Sequence, residues 1–428
     1  MSANDAGPLV EDPALRGGAL VLSPGGLQAW LSESLGHSCS VVPRRLRYKP
    51  GTSAVLGFDL TIVRDGVVTT EPCMASAYSD NAAPKIEKSL RNLPPDACLA
   101  YDRQRHSLVT TAAGDRALPL LPRLGRTDGL TDLLSRILPE DNESVAARTR
   151  TLRHNPGRRW VGTLERDDRP TLLLRAYDGS ASMTRAAASY RALAHSHTRT
   201  PRLLTRSRAL AVLAVTWIDG VDLTHAAGNP DLWRAAGSGL ARLHESPAAT
   251  LRHPAPGSAV SAVRAAGRQI AVLLPEIAAE VLDIARLTAR ELERLPGGSV
   301  AIHGDFSADQ VVFGPDGLPY FIDLDAAHLG TTAYDVGCLT ASTMACAEEI
   351  GVASRGDQEM ASFLGGYDDV RRGPDATAVA LHTVAFRLRK AVDPFRTCAP
   401  DWREQVRLRV AAARSALDGV ALAGRSGL

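Results

Sequence analysis

Apolar residues in the first third of the chain come in short blocks separated by turn residues. Residues 55–63 form one block, Arg64-Asp65-Gly66 is a turn signal, and a second block runs to Tyr78. That is the pattern of a β-hairpin. The plan returns in the next stretch. Arg153-His154-Asn155-Pro156-Gly157-Arg158-Arg159 opens a strand, Asp167-Asp168-Arg169-Pro170 turns, residues 171–177 return, and the Ala-rich run 184–194 predicts a helix. From about residue 221 the period changes to steps of three and four. Leu232, Ala235, Ala236, Leu240 and Leu243 lead to His244, and a long amphipathic stretch covers 260–295. One β-like block, 298–325, interrupts these helices.

The first two regions read as copies of one unit. Arg47-Tyr48-Lys49-Pro50-Gly51 answers Arg153-His154-Asn155-Pro156-Gly157, and Met74-Ala75-Ser76-Ala77-Tyr78 answers Leu173-Leu174-Arg175-Ala176-Tyr177. Residues 108–115 parallel 212–220, with loops of different length between the matches. Internal duplication changes the domain count. The expected organisation is an N-terminal α/β module over 1–145, a second such lobe over 146–220 and a helical lobe over 221–428, with the acidic stretch Pro139-Glu140-Asp141-Asn142-Glu143 as a linker.

Composition narrows the function. Lys+Arg 49 against Asp+Glu 47 leaves a formal charge of +2, and no basic run carries interleaved aromatics, so no nucleic-acid partner is indicated. The six cysteines are scattered without a CxxC pair, which predicts reduced thiols rather than a zinc site or disulfide framework. No apolar run approaches the roughly 20 residues of a membrane helix, and no signal peptide is visible. A soluble cytoplasmic protein is expected, with no membrane or protein partner indicated. The Ala, Arg, Gly and Pro bias suggests a bacterial source.

The chemistry is concentrated in residues 301–325. Two short apolar strands, Gln310-Val311-Val312-Phe313 and Tyr320-Phe321-Ile322, flank the turn Gly314-Pro315-Asp316-Gly317. Such a hairpin brings Asp305 and Gln310 beside Asp323. Two carboxylates and an amide oxygen suit Mg²⁺, a hard cation preferring oxygen ligands, and phosphoryl transfer uses that combination.

His303-Gly304-Asp305-x-x-x-x-Gln310, followed thirteen residues later by Asp323, resembles the catalytic and metal motifs of aminoglycoside phosphotransferases and choline kinases. Protein kinases use the same spacing with Arg for the Gly and Asn for the Gln. Leu240-Ala241-Arg242-Leu243-His244, Gly330-Thr331-Thr332-Ala333-Tyr334-Asp335 and Phe363-Leu364-Gly365-Gly366-Tyr367 are similar to further segments of that family. The resemblance implies an α+β, protein-kinase-like bilobal fold of the aminoglycoside phosphotransferase type, here with an extra N-terminal small-lobe-like α/β module. It implies ATP and Mg²⁺ as cofactors, Asp305 as catalytic base and His303 as the brace of its loop. Gln310 and Asp323 would be Mg²⁺ ligands, with Asp325 a further acidic candidate and Asp335 structural.

The small lobe departs from the pattern. Kinases hold the α- and β-phosphates with a strand Lys paired to a helix Glu; here the aligned residue is Arg175, and the following helix has no Glu. No Gly-rich loop is present, and Asn155-Pro156-Gly157-Arg158 is its nearest counterpart, with Arg158 able to approach phosphate. Thr216-Trp217-Ile218 resembles the linker whose backbone holds adenine. The function expected is phosphorylation of a small-molecule hydroxyl on a sugar or sugar-bearing natural product. Asp368-Asp369 is the one hint of a polycationic aminoglycoside. A kinase of peptide Ser/Thr hydroxyls and a non-catalytic nucleotide-binding pseudokinase are the alternatives.

Overall fold

A computed structural model describes residues 9–124, 148–225, 228–247, 250–255 and 257–426. The acidic stretch at 139–143 and the expected boundary at 145/146 lie outside the described residues. The chain divides into two compact units. The first comprises Met1–Thr184, Leu204–Trp217 and Pro394–Trp402; the second comprises Arg185–Leu203, Ile218–Asp393 and Arg403–Leu428.

The first unit contains two antiparallel five-stranded sheets. One is built from β1 (Cys39–Lys49), β2 (Ser53–Arg64), β3 (Val67–Tyr78), β4 (Cys98–Asp102) and β5 (Ser107–Thr111), in the order β1-β2-β3-β5-β4. The other is built from β6 (Arg148–Asn155), β7 (Arg159–Arg166), β8 (Arg169–Tyr177), β9 (Leu203–Ser207) and β10 (Val212–Thr216), in the order β6-β7-β8-β10-β9. The strand order is the same, and so are the irregularities. A register shift falls at Pro43/Arg45 in one and Thr151/Arg153 in the other. Asp65 and Gly66 turn the first hairpin with φ of 50° and 78°, as Asp167 and Asp168 turn the second with 49° and 60°; two successive positive φ values match the twist of the flanking strands.

The likeness extends ahead of each sheet. Asp12-Pro13-Ala14-Leu15 and Asp115-Arg116-Ala117-Leu118 make the same turn, with Leu15 N–H donating to the Asp12 carbonyl and Leu118 N–H to the Asp115 carbonyl, each at 3.0 Å. Asp12 Oδ2 then accepts from the Gly51 amide and the Tyr48 hydroxyl, both at 2.8 Å. Asp115 Oδ2 accepts from the Gly157 amide at 2.6 Å and faces His154 Nε2 at 3.0 Å. Each carboxylate pins the turn between the first two strands of the sheet that follows it.

Alternation along β8 sorts its side chains onto two faces. Leu172, Leu174 and Ala176 join Trp160, Leu164, Val212 and Ala214 in a buried cluster closed by Leu118, Leu120 and Leu121. A buried leucine contributes about 1.5–3 kcal/mol, so these leucines hold the Asp115 turn against the second sheet. Arg175 is on the opposite face. The hairpin turn at Pro156 also approaches mid-β2, where a Cβ added to Gly57 would meet Pro156 Cδ at 2.8 Å. Far along the chain, Phe395 returns to this unit and packs edge-on against Tyr48, with ring centroids 5.9 Å apart, and against Trp402 at 4.9 Å.

The second unit is mostly helical. Asn229 caps the helix Pro230–His244 by accepting from the Asp231 and Leu232 amides. The helix Ala353–Asp368 packs on it through two glycines: a Cβ at Gly237 would fall 1.9 Å from the Phe363 carbonyl oxygen, and one at Gly366 would fall 1.9 Å from that of Arg234. The amphipathic stretch 260–295 is not one helix but two, Ser258–Leu273 and Ala278–Arg294, packed together. Pro275 lacks the amide a continuous helix needs there. All six cysteines are free thiols, and among the described residues no helix is long and apolar enough to cross a membrane.

Candidate active site

The β-block of the second unit holds two small sheets. In one, β11 (Val221–Asp222), β13 (Val311–Phe313) and β14 (Pro319–Phe321) are ordered β11-β13-β14. In the other, β12 (Val300–Ile302) pairs antiparallel with β15 (His328–Gly330). The segment before the helical lobe thus becomes a third strand on the hairpin, with Val221 opposite Phe313. Close approach requires a glycine just before it, since a Cβ at Gly220 would fall 2.1 Å from the Phe313 carbonyl oxygen. On the other side, the Phe321 amide donates to the Arg199 carbonyl at 2.9 Å, and the Arg199 guanidinium pairs with Asp316 in the hairpin turn.

One peptide unit ties the expected site together. The Ile322 amide donates to the Gln310 carbonyl at 2.9 Å, and the Ile322 carbonyl accepts from His303 Nε2 at 2.7 Å. The loop bearing Asp305, the residue Gln310 and the residue preceding Asp323 are therefore cross-linked through Ile322. His303 is fully buried and its ring acts on the backbone. Asp305 is exposed, whereas Gln310, Asp323 and Asp325 are half-buried. Asp323 has φ 58° and ψ 51°, a left-handed conformation that is uncommon for a non-glycine residue. It is the N-cap of the short 3₁₀ turn Leu324–Ala326, which carries Asp325.

Gly304 also has positive φ, 82°. A Cβ there would stand 2.4 Å from the Ala326 carbonyl oxygen and 2.8 Å from His328 Nδ1. The loop before Asp305 thus nests against the turn after Asp323, and only glycine fits. His328 Nδ1 lies 2.8 Å from the Ala326 carbonyl, so that nitrogen carries the proton. Burial lowers the pKa of this ring, which keeps it neutral.

Beneath the loop is a buried chain of polar groups. Asp335, fully buried, accepts from the His303 amide at 2.6 Å and the Gly304 amide at 2.8 Å. His244 Nε2 faces Asp335 Oδ2 at 3.2 Å, and His244 Nδ1 meets the Tyr367 hydroxyl at 2.7 Å. Burial alone would raise the Asp335 carboxyl, but the His244 hydrogen bond, the proximity of His303 and the Gly304 amide outweigh it and hold it below its ordinary value. A charged group in the core therefore fixes the backbone conformation of the loop before Asp305. The sequence marked His244, Asp335 and Tyr367 separately; that they form one chain was not visible, because 123 residues separate the His from the Tyr.

The remaining expected residues belong to other parts of the chain. Arg175 lies in the first unit, 3% exposed, with Nε donating to the Tyr177 hydroxyl at 3.3 Å. Arg158 is exposed in the β6–β7 turn, 3.7 Å from Asp178. Thr216 ends β10, and Trp217 and Ile218 follow it, all half-buried, at the point where the chain passes from one unit to the other. The Asp368-Asp369 pair is already engaged: Asp369 pairs with Arg234 at 2.7 Å, and Asp368 accepts from the Gly373 amide at 2.7 Å.

The donor set fits a magnesium ion of the phosphate-bridging kind. Among the described residues no group of three or more His, Cys, Asp or Glu side chains is placed to hold a metal. Mg²⁺ at a nucleotide site uses one or two carboxylates, with waters and phosphate oxygens completing the octahedron. Asp323 and the Gln310 amide oxygen are donors of that type, and Gln310 Nε2 is turned toward Asp309 at 2.9 Å.

An α+β architecture with this hairpin and a buried Asp behind its loop defines a phosphotransferase of the protein-kinase-like fold. Residues 153–372, just over half of the chain, match the phosphotransferase enzyme family; the chain belongs to that family. Among solved structures, a choline kinase from Cryptosporidium parvum Iowa II is similar with TM-score 0.54 and 11% identity over 70% of this chain and 97% of that one. A spectinomycin phosphotransferase in complex with ADP and spectinomycin has TM-score 0.48 and 12% identity, over 68% of this chain and 98% of that one. A choline/ethanolamine kinase family protein from Mesorhizobium loti has TM-score 0.48 and 17% identity, over 68% and 94%. No curated protein matches the chain in sequence.

Proposed function

We propose that the chain transfers the γ-phosphate of ATP to a hydroxyl of a sugar or sugar-bearing natural product. The observation that supports this reading is the Ile322 peptide, whose amide donates to the Gln310 carbonyl and whose carbonyl accepts from His303, tying the loop that bears Asp305 to the backbone next to Asp323. Asp305, exposed, accepts or orients the proton of the attacking hydroxyl. Gln310 and Asp323, with Asp325 as a further candidate, would hold Mg²⁺, which would neutralise the polyphosphate. Arg175 and Arg158 supply cations for the phosphates, and the backbone of Thr216-Trp217-Ile218 hydrogen-bonds adenine. Positioning and fixed charge supply most of the acceleration in such chemistry.

A neutral acceptor is favoured over a polycationic one because Asp368 and Asp369 are already hydrogen-bonded within the protein. The matched strand order and matched Asp clamps also support reading the first sheet as a second copy of the small lobe. The test is ADP release from ATP·Mg²⁺ across a panel of sugars, aminoglycosides, nucleosides and peptides, with Asp305→Asn as control. Turnover on a sugar that the variant abolishes is expected. Nucleotide binding without turnover on any acceptor would make the protein a pseudokinase instead.

A further inference from the structure

A cavity of about 730 Å³ lies within the first unit and plays no part in the chemistry above. Its size falls in the range of about 300–1,000 Å³ used by small-molecule sites. One wall is β6: all eight residues from Arg148 to Asn155 border it. Side chains alternate between faces, so an unbroken run means that the cavity follows the outer edge of β6, which is unpaired among the described residues. The opposite wall is the stretch 70–73 of β3, most of which lies beyond the reach of β5, because that pairing begins at Cys73.

Two polar atoms on these walls are buried without a partner among the described residues. His154 and Asn155 border the cavity, and His154 Nδ1 and Asn155 Oδ1 are buried without a hydrogen bond. His154 Nε2–H is committed to Asp115, so in the neutral ring Nδ1 is an acceptor. Only 7% of His154 is exposed, and leaving a buried acceptor unpaired is unfavourable. Glu71, a third acceptor, and Arg153, a fork of donors, have no ion-pair partner among the described residues.

The charges alternate in sign. Arg44 Nε is bound to Asp59 at 2.8 Å, and Glu165 receives Arg150 Nε at 2.6 Å and Arg148 Nε at 3.0 Å. An anionic ligand would face Asp59, Glu71 and Glu165; a polyamine would face the guanidiniums. A neutral compound rich in hydroxyls meets neither objection, because each hydroxyl donates to Nδ1, Oδ1 or a carboxylate and accepts from a guanidinium.

We propose that this cavity is a second, non-catalytic site for a neutral saccharide, held by Arg153, His154 and Asn155 on β6 and by Glu71 on β3. The site would anchor a glycan or a glycosylated acceptor on the N-terminal module. It does not depend on the phosphotransfer assignment, since it uses none of those residues.

The test is titration calorimetry and saturation-transfer NMR on the full chain without nucleotide. The probes are maltose, lactose, trehalose and raffinose, with galacturonic acid and spermidine as charged counterparts. At least one neutral sugar is expected to bind, with affinity falling about tenfold, or about 1.4 kcal/mol, in both Glu71→Ala and Arg153→Ala. Both positions are exposed, so the fold should survive, and thermal stabilisation by ATP·Mg²⁺ in each variant reports this separately. Tightest binding by a charged probe, binding indifferent to both substitutions, or no binding by any sugar to well-folded protein overturns the proposal.

Discussion

Replacing Asp335 with asparagine tests the buried chain beneath the loop before Asp305. The carboxylate accepts two backbone amides and faces His244. Asparagine keeps the volume but turns one acceptor into an NH₂ that must point at a donor. Hydrogen bonds to a charged group contribute about 1.5–3 kcal/mol each, and the Asp335 carboxylate accepts two from backbone amides. The expected loss for Asp335→Asn is therefore about 3–5 kcal/mol, much of the stability of an ordinary domain. The assay is urea unfolding of both proteins at a series of pH values. Since the folded state holds this carboxyl below its ordinary value, its contribution is complete above the unfolded pKa, about 3.9, and drains as pH falls through the folded value. The gap between the two proteins should thus be constant near neutrality and narrow in strong acid. A gap under about 1 kcal/mol, or one that does not narrow, would refute the claim that a charged Asp335 secures the loop.

Other substitutions probe separate links. Gly304→Ala forces a Cβ into the Ala326 carbonyl at positive φ and should cost at least about 1–2 kcal/mol in thermal unfolding while lowering turnover. Asp323→Asn should keep the fold, because Asn tolerates the left-handed region; it should lose the Mg²⁺-dependent part of ATP stabilisation, about 2.7 kcal/mol at a hundred times Kd in a thermal shift. Asp115→Ala strips partners from His154 and the Gly157 amide and should cost about 2–3 kcal/mol in denaturant unfolding, with Asp12→Ala behaving alike through Tyr48 and Gly51. Burial lowers the His382 pKa to about 4. The unfolded chain therefore takes up a proton that the folded one refuses, so stability should fall as pH drops from about 6.5 toward that value, by about 1.4 kcal/mol per unit. An NMR titration of the ring that found an ordinary imidazole pKa would contradict this.

Much of the hairpin was legible because it is local: both strands and the turn Gly314-Pro315-Asp316-Gly317 lie within residues 310–322, and turn chemistry fixes their pairing. The paired sheets were legible from matched strings, and Asp12-Pro13-Ala14-Leu15 against Asp115-Arg116-Ala117-Leu118 was a further match that could have been found. What escaped was contact between distant positions. Nothing near Tyr367 advertises His244, and nothing near Phe395 advertises Tyr48, because an aromatic ring or a hydroxyl carries no mark of its partner. The break at Pro275 was readable from chemistry but hidden by the amphipathic period running through it.

The return of Pro394–Trp402 to the first unit has a consequence for biogenesis. While the ribosome is still making the helical lobe, the N-terminal sheets exist without the ring that covers Tyr48. That cover arrives only after some 350 further residues, and contacts so remote in sequence form late. A nascent or truncated chain ending before Phe395 would thus present an unfinished apolar surface, the sort that chaperones hold and proteases find.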